Sequence, residues 1–169
     1  MSAQVPGNPH QSPNVELISI LQGVPIKQLV SMEKNFEIIN HTADVGIIAY
    51  GADMKQAFAN AARGLFSLIT ELDDVEEVLH RDIEVTATDE ESLLVEWLNE
   101  LIYLFDAQIL LFKRFEITQL SNTRLKARCY GEKVSQSKHL LKTGVKAATY
   151  HLLKVSKDDG SRVQVIFDI

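Results

Sequence analysis

The chain has 169 residues, 46% of them hydrophobic, and a formal net charge of −6. This length and composition suit one compact domain with a substantial core. A protein that holds RNA through its phosphates ordinarily needs a basic surface, so the acidic balance argues against direct nucleic-acid binding. Cys129 is the only cysteine, which excludes an internal disulfide and a thiolate metal cluster. Its place in the alternating Leu125–Cys129 pattern predicts a small core residue.

Residues 1–34 are predicted to form an N-terminal extension outside the domain. All four prolines fall before residue 26, and the first dozen residues are rich in Ser, Gln and Asn. We expect this first part to be disordered. Residues 15–30 are too apolar for a plain linker and are interpreted as a helix that docks on the domain or on another subunit. A non-native start is the remaining alternative.

The chain is expected to be cytoplasmic and free of the membrane. No apolar run reaches the roughly 18 residues that a membrane-spanning helix needs. The N-terminus also lacks the charged start and apolar stretch of a secretion signal. The single cysteine is consistent with a reducing compartment.

Residues 35–169 are predicted to form the domain, which begins with two strands at 36–40 and 46–50. Asp53 then offers an N-cap, and Gln56 completes a capping-box pattern. Apolar residues spaced by three and four from Met54 to Ile69 predict a helix with one buried face. The acid-rich stretch 71–77 predicts a solvated loop.

The second half of the domain predicts a strand, a helix and two hairpins. Alternation over 83–87 indicates a half-buried strand, and Thr88 or Asp89 is the predicted cap of the next helix. Segments 114–120 and 123–130 read as one hairpin, followed by a polar loop at 131–143. Strands 145–156 and 162–168 form a second hairpin at Asp158-Asp159-Gly160. The element order predicts an α+β domain with two main helices packed on mostly antiparallel sheet.

Familiar catalytic patterns do not occur in this sequence. It contains no glycine-rich phosphate loop, no His-Glu-x-x-His zinc helix and no Gly-x-Ser-x-Gly nucleophile elbow. The sequence therefore weakens, without excluding, an autonomous enzyme.

The last strand indicates a metal site. It closes on Asp168 and the main-chain carboxylate of Ile169, two negative groups that a cation would stabilise. Asp44, an isolated acid among apolar residues, is the candidate third ligand. Carboxylates are hard ligands that favour calcium, magnesium or manganese over zinc. The alternative is that Asp44 caps a turn and Asp168 is merely solvated.

Lys146 is the candidate cation of this cluster, placed to neutralise the acids or to contact a phosphate. The alternative is an ordinary solvent-facing strand lysine. A two-residue turn at Asp159-Gly160 would place Asp168 opposite His151, about five residues from Lys146. At about 3.3 Å per residue that separation is too long for direct contact. Either the strand bends or Lys146 acts separately.

Three further groups are weaker candidates. His41 is interpreted as a hydrogen-bonding turn residue rather than a ligand. Gly131-Glu132 and His139 flank the polar loop and could line the same cleft, although a surface position is the simpler expectation.

Six segments between residues 35 and 169, in this order, resemble the archease family. They are His41-Thr42-Ala43-Asp44-Val45-Gly46, Ala57-Phe58, Leu93-Leu94-Val95-Glu96-Trp97-Leu98-Asn99-Glu100-Leu101, Gly131-Glu132, Val145-Lys146-Ala147-Ala148-Thr149-Tyr150 and Phe167-Asp168-Ile169. The resemblance implies a cytosolic protein cofactor, not itself an enzyme, for RNA ligases of the RtcB type, which act in tRNA splicing and RNA repair. It would promote guanylylation of the ligase and its repeated turnover. The resemblance also implies calcium at Asp44, Asp168 and the Ile169 carboxylate, with Lys146 functionally important.

Two other functions remain open at this point. One is a chaperone or modulator, for example of a tRNA methyltransferase, a role also proposed for the archease family. The other is a metal-dependent hydrolase, which is disfavoured because no nucleophile stands out in the sequence.

Overall fold

The computed structural model describes residues 22–23, 35–40, 42–158 and 160–169. The predicted N-terminal extension therefore lies outside the described residues except for Gln22 and Gly23, and His41 and Asp159 lie outside them too. The elements, in chain order, are β1 (Phe36–Asn40), β2 (Val45–Gly51), α1 (Met54–Ile69), β3 (Leu79–Thr86), α2 (Glu90–Gln108), β4 (Leu110–Leu120), β5 (Arg124–Lys133), β6 (Ala147–Ser156) and β7 (Ser161–Asp168). A single 3-10 turn, Leu72–Asp74, lies between α1 and β3.

The strands form two antiparallel sheets. The four-stranded sheet has the order β1-β2-β7-β6, and the three-stranded sheet has the order β3-β5-β4. Each helix contacts strands of both sheets, and one continuous apolar core joins all of them. The α+β class with two helices on antiparallel sheet is confirmed.

Both helices begin where the sequence places their caps. The Asp53 carboxylate accepts the Gln56 backbone N–H at 2.8 Å, and Asp89 accepts the Ser92 N–H at 2.7 Å. Gln56 reaches back to the N–H of Ala52, one residue before the cap. These bonds satisfy backbone donors that the first helical turn leaves without partners.

The core is centred on Trp97, which is fully buried and donates its indole N–H to the carbonyl of Phe58 at 3.2 Å. This bond ties α2 to α1 through a polar group that would otherwise be buried without a partner. Cys129 is fully buried, as predicted, and its burial raises the pKa of the thiol well above its usual range.

Several sequence-based boundaries differ from the structure. β4 begins at Leu110, four residues before the strand predicted from 114, and β3 begins at Leu79, four residues before the strand predicted from 83. Both strands are longer than predicted because their pairing with β5 continues over segments whose own sequence shows no clear alternation. Among the described residues no helix is long and apolar enough to cross a membrane.

Candidate metal centre

The pairing of β2 with β7 ends next to Asp44 and Asp168. Its last pair is Val45 opposite Phe167, and continuing this antiparallel register by one position would set Asp44 opposite Asp168. Directly opposed residues of such a pair have Cα atoms about 4.5–5.5 Å apart and side chains on the same face. Because β7 is a central strand, flanked by β2 and β6, this end of the chain is held within the sheet.

The alternation of strand side chains turns the two carboxylates away from the core. Val45 and Phe167 are buried in the core, whereas Asp44 is half-buried and Asp168 is exposed. Within the described part of the chain, no group donates a hydrogen bond to either carboxylate or forms an ion pair with it. Two neighbouring acids without such compensation are the condition under which a cation stabilises a site.

The uniform register that would set Asp168 opposite His151 is wrong, and of the two alternatives the strand irregularity is the one found. Asp168 pairs with Ala147, not with His151, and the Lys146 backbone N–H donates to the Asp168 carbonyl at 2.8 Å. The register shifts between Thr149 and Lys154. Between the pairs Thr149–Ile166 and Lys154–Gln164, β6 advances by five residues while β7 advances by two. This bulge removes the extra length, and Leu152 within it adopts left-handed backbone geometry with φ 53°.

The start of β6 is fixed by two side-chain hydrogen bonds. Asn99 on α2 accepts the Ala148 backbone N–H at 2.8 Å, and the Thr149 hydroxyl donates to the Ile166 carbonyl at 2.9 Å. These bonds fix the start of the strand that directly follows Lys146. Sequence reasoning assigned no role to Asn99, although an amide among the apolar positions of α2 was a readable signal.

The donor set of this end fits a hard divalent cation. We define the acidic tip as Asp44, Asp168 and the main-chain carboxylate of Ile169. Lys146, whose side chain is exposed, directly precedes Ala147, the residue that pairs with Asp168. Carboxylate oxygens are the ligands that calcium, magnesium and manganese take, and thiolates, which zinc accepts readily, are absent from the tip. No cluster of three His, Cys, Asp or Glu side chains exists among the described residues, so the tip offers two side-chain ligands.

Glu132 and His139 form a separate cluster. His139 is buried, contrary to the expected surface position, because its Nδ1 accepts the Ser135 N–H at 2.9 Å and its Nε2 contacts Glu132 at 3.0 Å. Glu132 also accepts the Lys138 ammonium at 2.7 Å. Partial burial would raise the pKa of Glu132, but these hydrogen bonds outweigh it and hold the pKa below its usual range.

The Glu132–His139 cluster anchors the loop that leads into Lys146. Farther along the same loop, the N–H groups of Lys142 and Thr143 donate to the last carbonyls of α1, at 2.8 Å to Ile69 and 3.2 Å to Leu68. These hydrogen bonds satisfy carbonyl groups at the C-terminal end of α1. Val145, two residues farther on, is buried in the core. The cluster therefore supports the approach to the tip without belonging to it.

The fold and the tip define a small α+β domain of two antiparallel sheets around two helices, with carboxylates gathered at the end of a central strand. The sequence model of the archease protein family (MTH1598/TM1083) matches residues 36–169. The archease of Pyrococcus abyssi is 40% identical over 142 residues, covering 80% of this chain and 99% of that protein. The archease of Methanosarcina mazei is 36% identical over 144 residues, covering 82% and 99% respectively. This chain belongs to the archease family.

Solved structures agree with this assignment. The solution structure of protein 1598 of Methanobacterium thermoautotrophicum has a TM-score of 0.69 and 33% identity, covering 80% of this chain and 99% of that one. The crystal structure of an archease, described as a possible chaperone, from Thermotoga maritima has a TM-score of 0.53. At 23% identity, over 79% of this chain and 96% of that one, it shows a common fold.

Proposed function

We propose that this archease-family chain is a protein cofactor of an RtcB-type RNA ligase, promoting guanylylation and repeated turnover of that ligase through the acidic tip. The observation that supports the proposal is the register of β7, which ends beside Asp44 on the β2 side and places Asp168 next to the Lys146 backbone on the β6 side. The three residues of the proposed site therefore lie at one end of the sheet. Such a surface suits a nucleotide cleft that contains metal and phosphate.

The residues have distinct proposed roles. Asp44, Asp168 and the Ile169 carboxylate hold a divalent cation, calcium by preference and magnesium or manganese as alternatives. A bound cation would neutralise these acids and supply positive charge that attracts phosphate oxygens. The Lys146 ammonium would contact a phosphate of the nucleotide, and Asn99 positions the strand that directly follows Lys146.

The charges elsewhere favour a protein partner over RNA. On the exposed face of the three-stranded sheet, Arg128 pairs with Asp82 and Arg124 with Glu84. Arg114 pairs with Glu77 at 2.8 Å. Paired cations give little attraction for phosphate, whereas a net charge of −6 complements a basic RNA-processing enzyme and speeds its association.

The decisive experiment measures guanylylation of a purified RtcB-type ligase from labelled GTP, with and without this protein. Asp44→Asn, Asp168→Asn and Lys146→Met should each reduce stimulation at least tenfold. Asp73→Asn, an exposed acid in the 3-10 turn, is the matched control and should stimulate like the unaltered protein. Full stimulation by both tip variants Asp44→Asn and Asp168→Asn would remove the tip from the function.

A chaperone role is the second candidate. Tyr150 and Leu152 on the β6 bulge are 60% and 51% exposed, and exposed apolar side chains of this size can hold unfolded clients or a partner such as a tRNA methyltransferase. In an aggregation assay with unrelated clients, a chaperone would suppress aggregation and would lose this activity in Tyr150→Ser/Leu152→Ser. It would keep the activity in Asp168→Asn, which separates the two functions.

A further inference from the structure

The face of the four-stranded sheet that points away from the helices carries an apolar patch. We define the outer patch as Ile39, Gly46, Ile48 and Ile166, which lie on β1, β2 and β7. The side chains of Ile39 and Ile166 close over Gly46, where an added Cβ would lie 2.7 and 2.6 Å from their carbon atoms. Gly46 is opposite both Ile39 and Ile166 in the register, so all three share one face.

This patch lies outside the core between the sheets. Val45, Ile47 and Phe167, the alternate residues of the same strands, belong to the continuous core that includes both helices, whereas Ile48 and Ile166 do not. Glycine at position 46 leaves a shallow apolar depression between two isoleucines. A sheet face of this kind is usually polar when it faces water.

The outer patch is nevertheless withdrawn from solvent. Ile166 is only 1% exposed and Ile48 only 9% exposed. Among the described elements, the two helices pack on the opposite face, and the three-stranded sheet lies beyond them. The neighbours of Ile166 in the register are Gly46 on β2, which has no side chain, and Thr149 on β6. The near-complete burial of Ile166 therefore points to cover from outside the sheet.

We propose that the outer patch is a docking surface for this chain's own N-terminal segment, residues 15–30. That segment supplies apolar side chains, among them Leu17, Ile20 and Leu21. Its polypeptide enters β1 through Asn35, whose carbonyl accepts the Tyr50 N–H at 3.0 Å at the edge of the same sheet. The sheet is about 14 Å wide, and the five residue-to-residue steps from 30 to 35 span up to about 16 Å when extended.

The family comparisons are consistent with an N-terminal segment that is additional to the domain shared with the relatives. The family model starts at residue 36, and the Methanosarcina mazei relative is matched over 99% of its length by only 82% of this chain. Asp168 follows Ile166 by two residues on the same face, so a segment docked on the patch would lie beside the acidic tip. This proposal concerns binding within the chain and does not depend on the ligase function.

Paramagnetic relaxation measured on the full chain tests the docking. Cys129 is buried, so a nitroxide attaches to the single engineered thiol of Ser19→Cys. We expect strong broadening of the methyl signals of Ile48 and Ile166. The same label at Asn122→Cys, on the exposed hairpin of the other sheet, is the matched control and should leave both signals sharp. Sharp signals in the Ser19→Cys protein would overturn the proposal.

Two further measurements separate the possible occupants. Mixing labelled, isotopically unenriched protein with enriched unlabelled protein should give no broadening, and broadening found only in that mixture would assign the patch to a second copy. Hydrogen exchange of the unaltered chain should show protected amides within residues 15–30, lost in Leu17→Asp/Leu21→Asp. Unprotected amides throughout this segment in the unaltered chain would also contradict docking.

Discussion

Asn99 on α2 accepts a hydrogen bond from the backbone of Ala148, 49 positions later in the chain. This bond links a core helix to the start of β6, which directly follows Lys146. Asn99→Ala leaves the partly buried Ala148 N–H without this acceptor and should lower the free energy of unfolding by about 1–3 kcal/mol. Urea unfolding measures the loss. Asn99→Asp keeps an acceptor oxygen and should lose less, so equal losses in both variants would argue against this bond as the cause.

Gly131 is a position where β4 and β5 approach too closely for any side chain. A Cβ there would lie 1.8 Å from the Leu111 carbonyl oxygen, a backbone atom that cannot move aside without shifting the strand. Gly131→Ala should therefore lower the free energy of unfolding by about 3 kcal/mol or more. Gly144→Ala, which meets nothing within 4 Å, is the matched control and should change it by less than about 0.5 kcal/mol.

Ile109 ends α2 in left-handed geometry, with φ 57°. This conformation is unfavourable for a β-branched residue and natural for glycine at the end of a helix. Because Ile109 is 48% exposed, shortening its side chain removes little burial. Ile109→Gly should be more stable than Ile109→Ala by about 1 kcal/mol in thermal or urea unfolding. An alanine variant as stable as the glycine variant would show that the backbone there carries no strain.

The pH dependence of stability should reveal Glu132. Hydrogen bonds from Lys138, Glu76 and His139 outweigh partial burial and lower the pKa of Glu132 in the folded state. At pH values between this lowered pKa and the ordinary value of about 4.3, Glu132 binds a proton more readily in the unfolded chain than in the folded protein. The stability contributed by Glu132 is thus full above the unfolded pKa and is lost as pH falls through the folded pKa.

Urea unfolding between about pH 3 and 6 measures this contribution. Glu132→Gln should be less stable than the unaltered protein near pH 6, and the difference should narrow toward pH 3. Asp73→Asn, whose carboxylate lies on the exposed 3-10 turn, should show no such convergence. A difference that stays constant with pH would assign the role of Glu132 to packing alone.

The acidic tip should make stability depend on a divalent cation. In chelator, Asp168→Asn should be at least as stable as the unaltered protein, because removing one acid relieves up to about 1 kcal/mol of repulsion. Added calcium should raise the melting temperature of the unaltered protein and leave that of Asp168→Asn unchanged. Thermal unfolding with magnesium and manganese in parallel ranks the candidate ions, and no response to any of the three would contradict the metal site.

Local signals in the sequence identified most of the secondary structure. The caps Asp53 and Asp89 confirm the capping prediction because each bond is made within four residues. The hairpin between β6 and β7 was also recognisable. Such features depend on neighbours along the chain, which a single sequence displays directly.

Features that depend on long-range contacts could not be predicted from the sequence. The β6 bulge contains no glycine or proline, and Leu152 gives no sign that it adopts left-handed geometry, so the uniform register misplaced Lys146. His139 was assigned to the surface because its burial depends on contacts with Glu132 at the end of β5 and with Ser135, which a polar loop sequence does not reveal. The pairing of β7 with β2 depends on the whole core, although the isolated acids Asp44 and Asp168 had suggested where it would bring charges together.

The central position of β7 has a consequence for how the domain is made. Residues 161–168 are the last strand in sequence, yet β2 and β6 meet only through them. A ribosome that has released the first two strands and both helices has therefore produced only an incomplete sheet, whose apolar centre stays open until synthesis reaches this strand. Closure between such distant segments is slow compared with local helix formation. We expect nascent chains shorter than about 160 residues to be sensitive to protease and to require protection from aggregation.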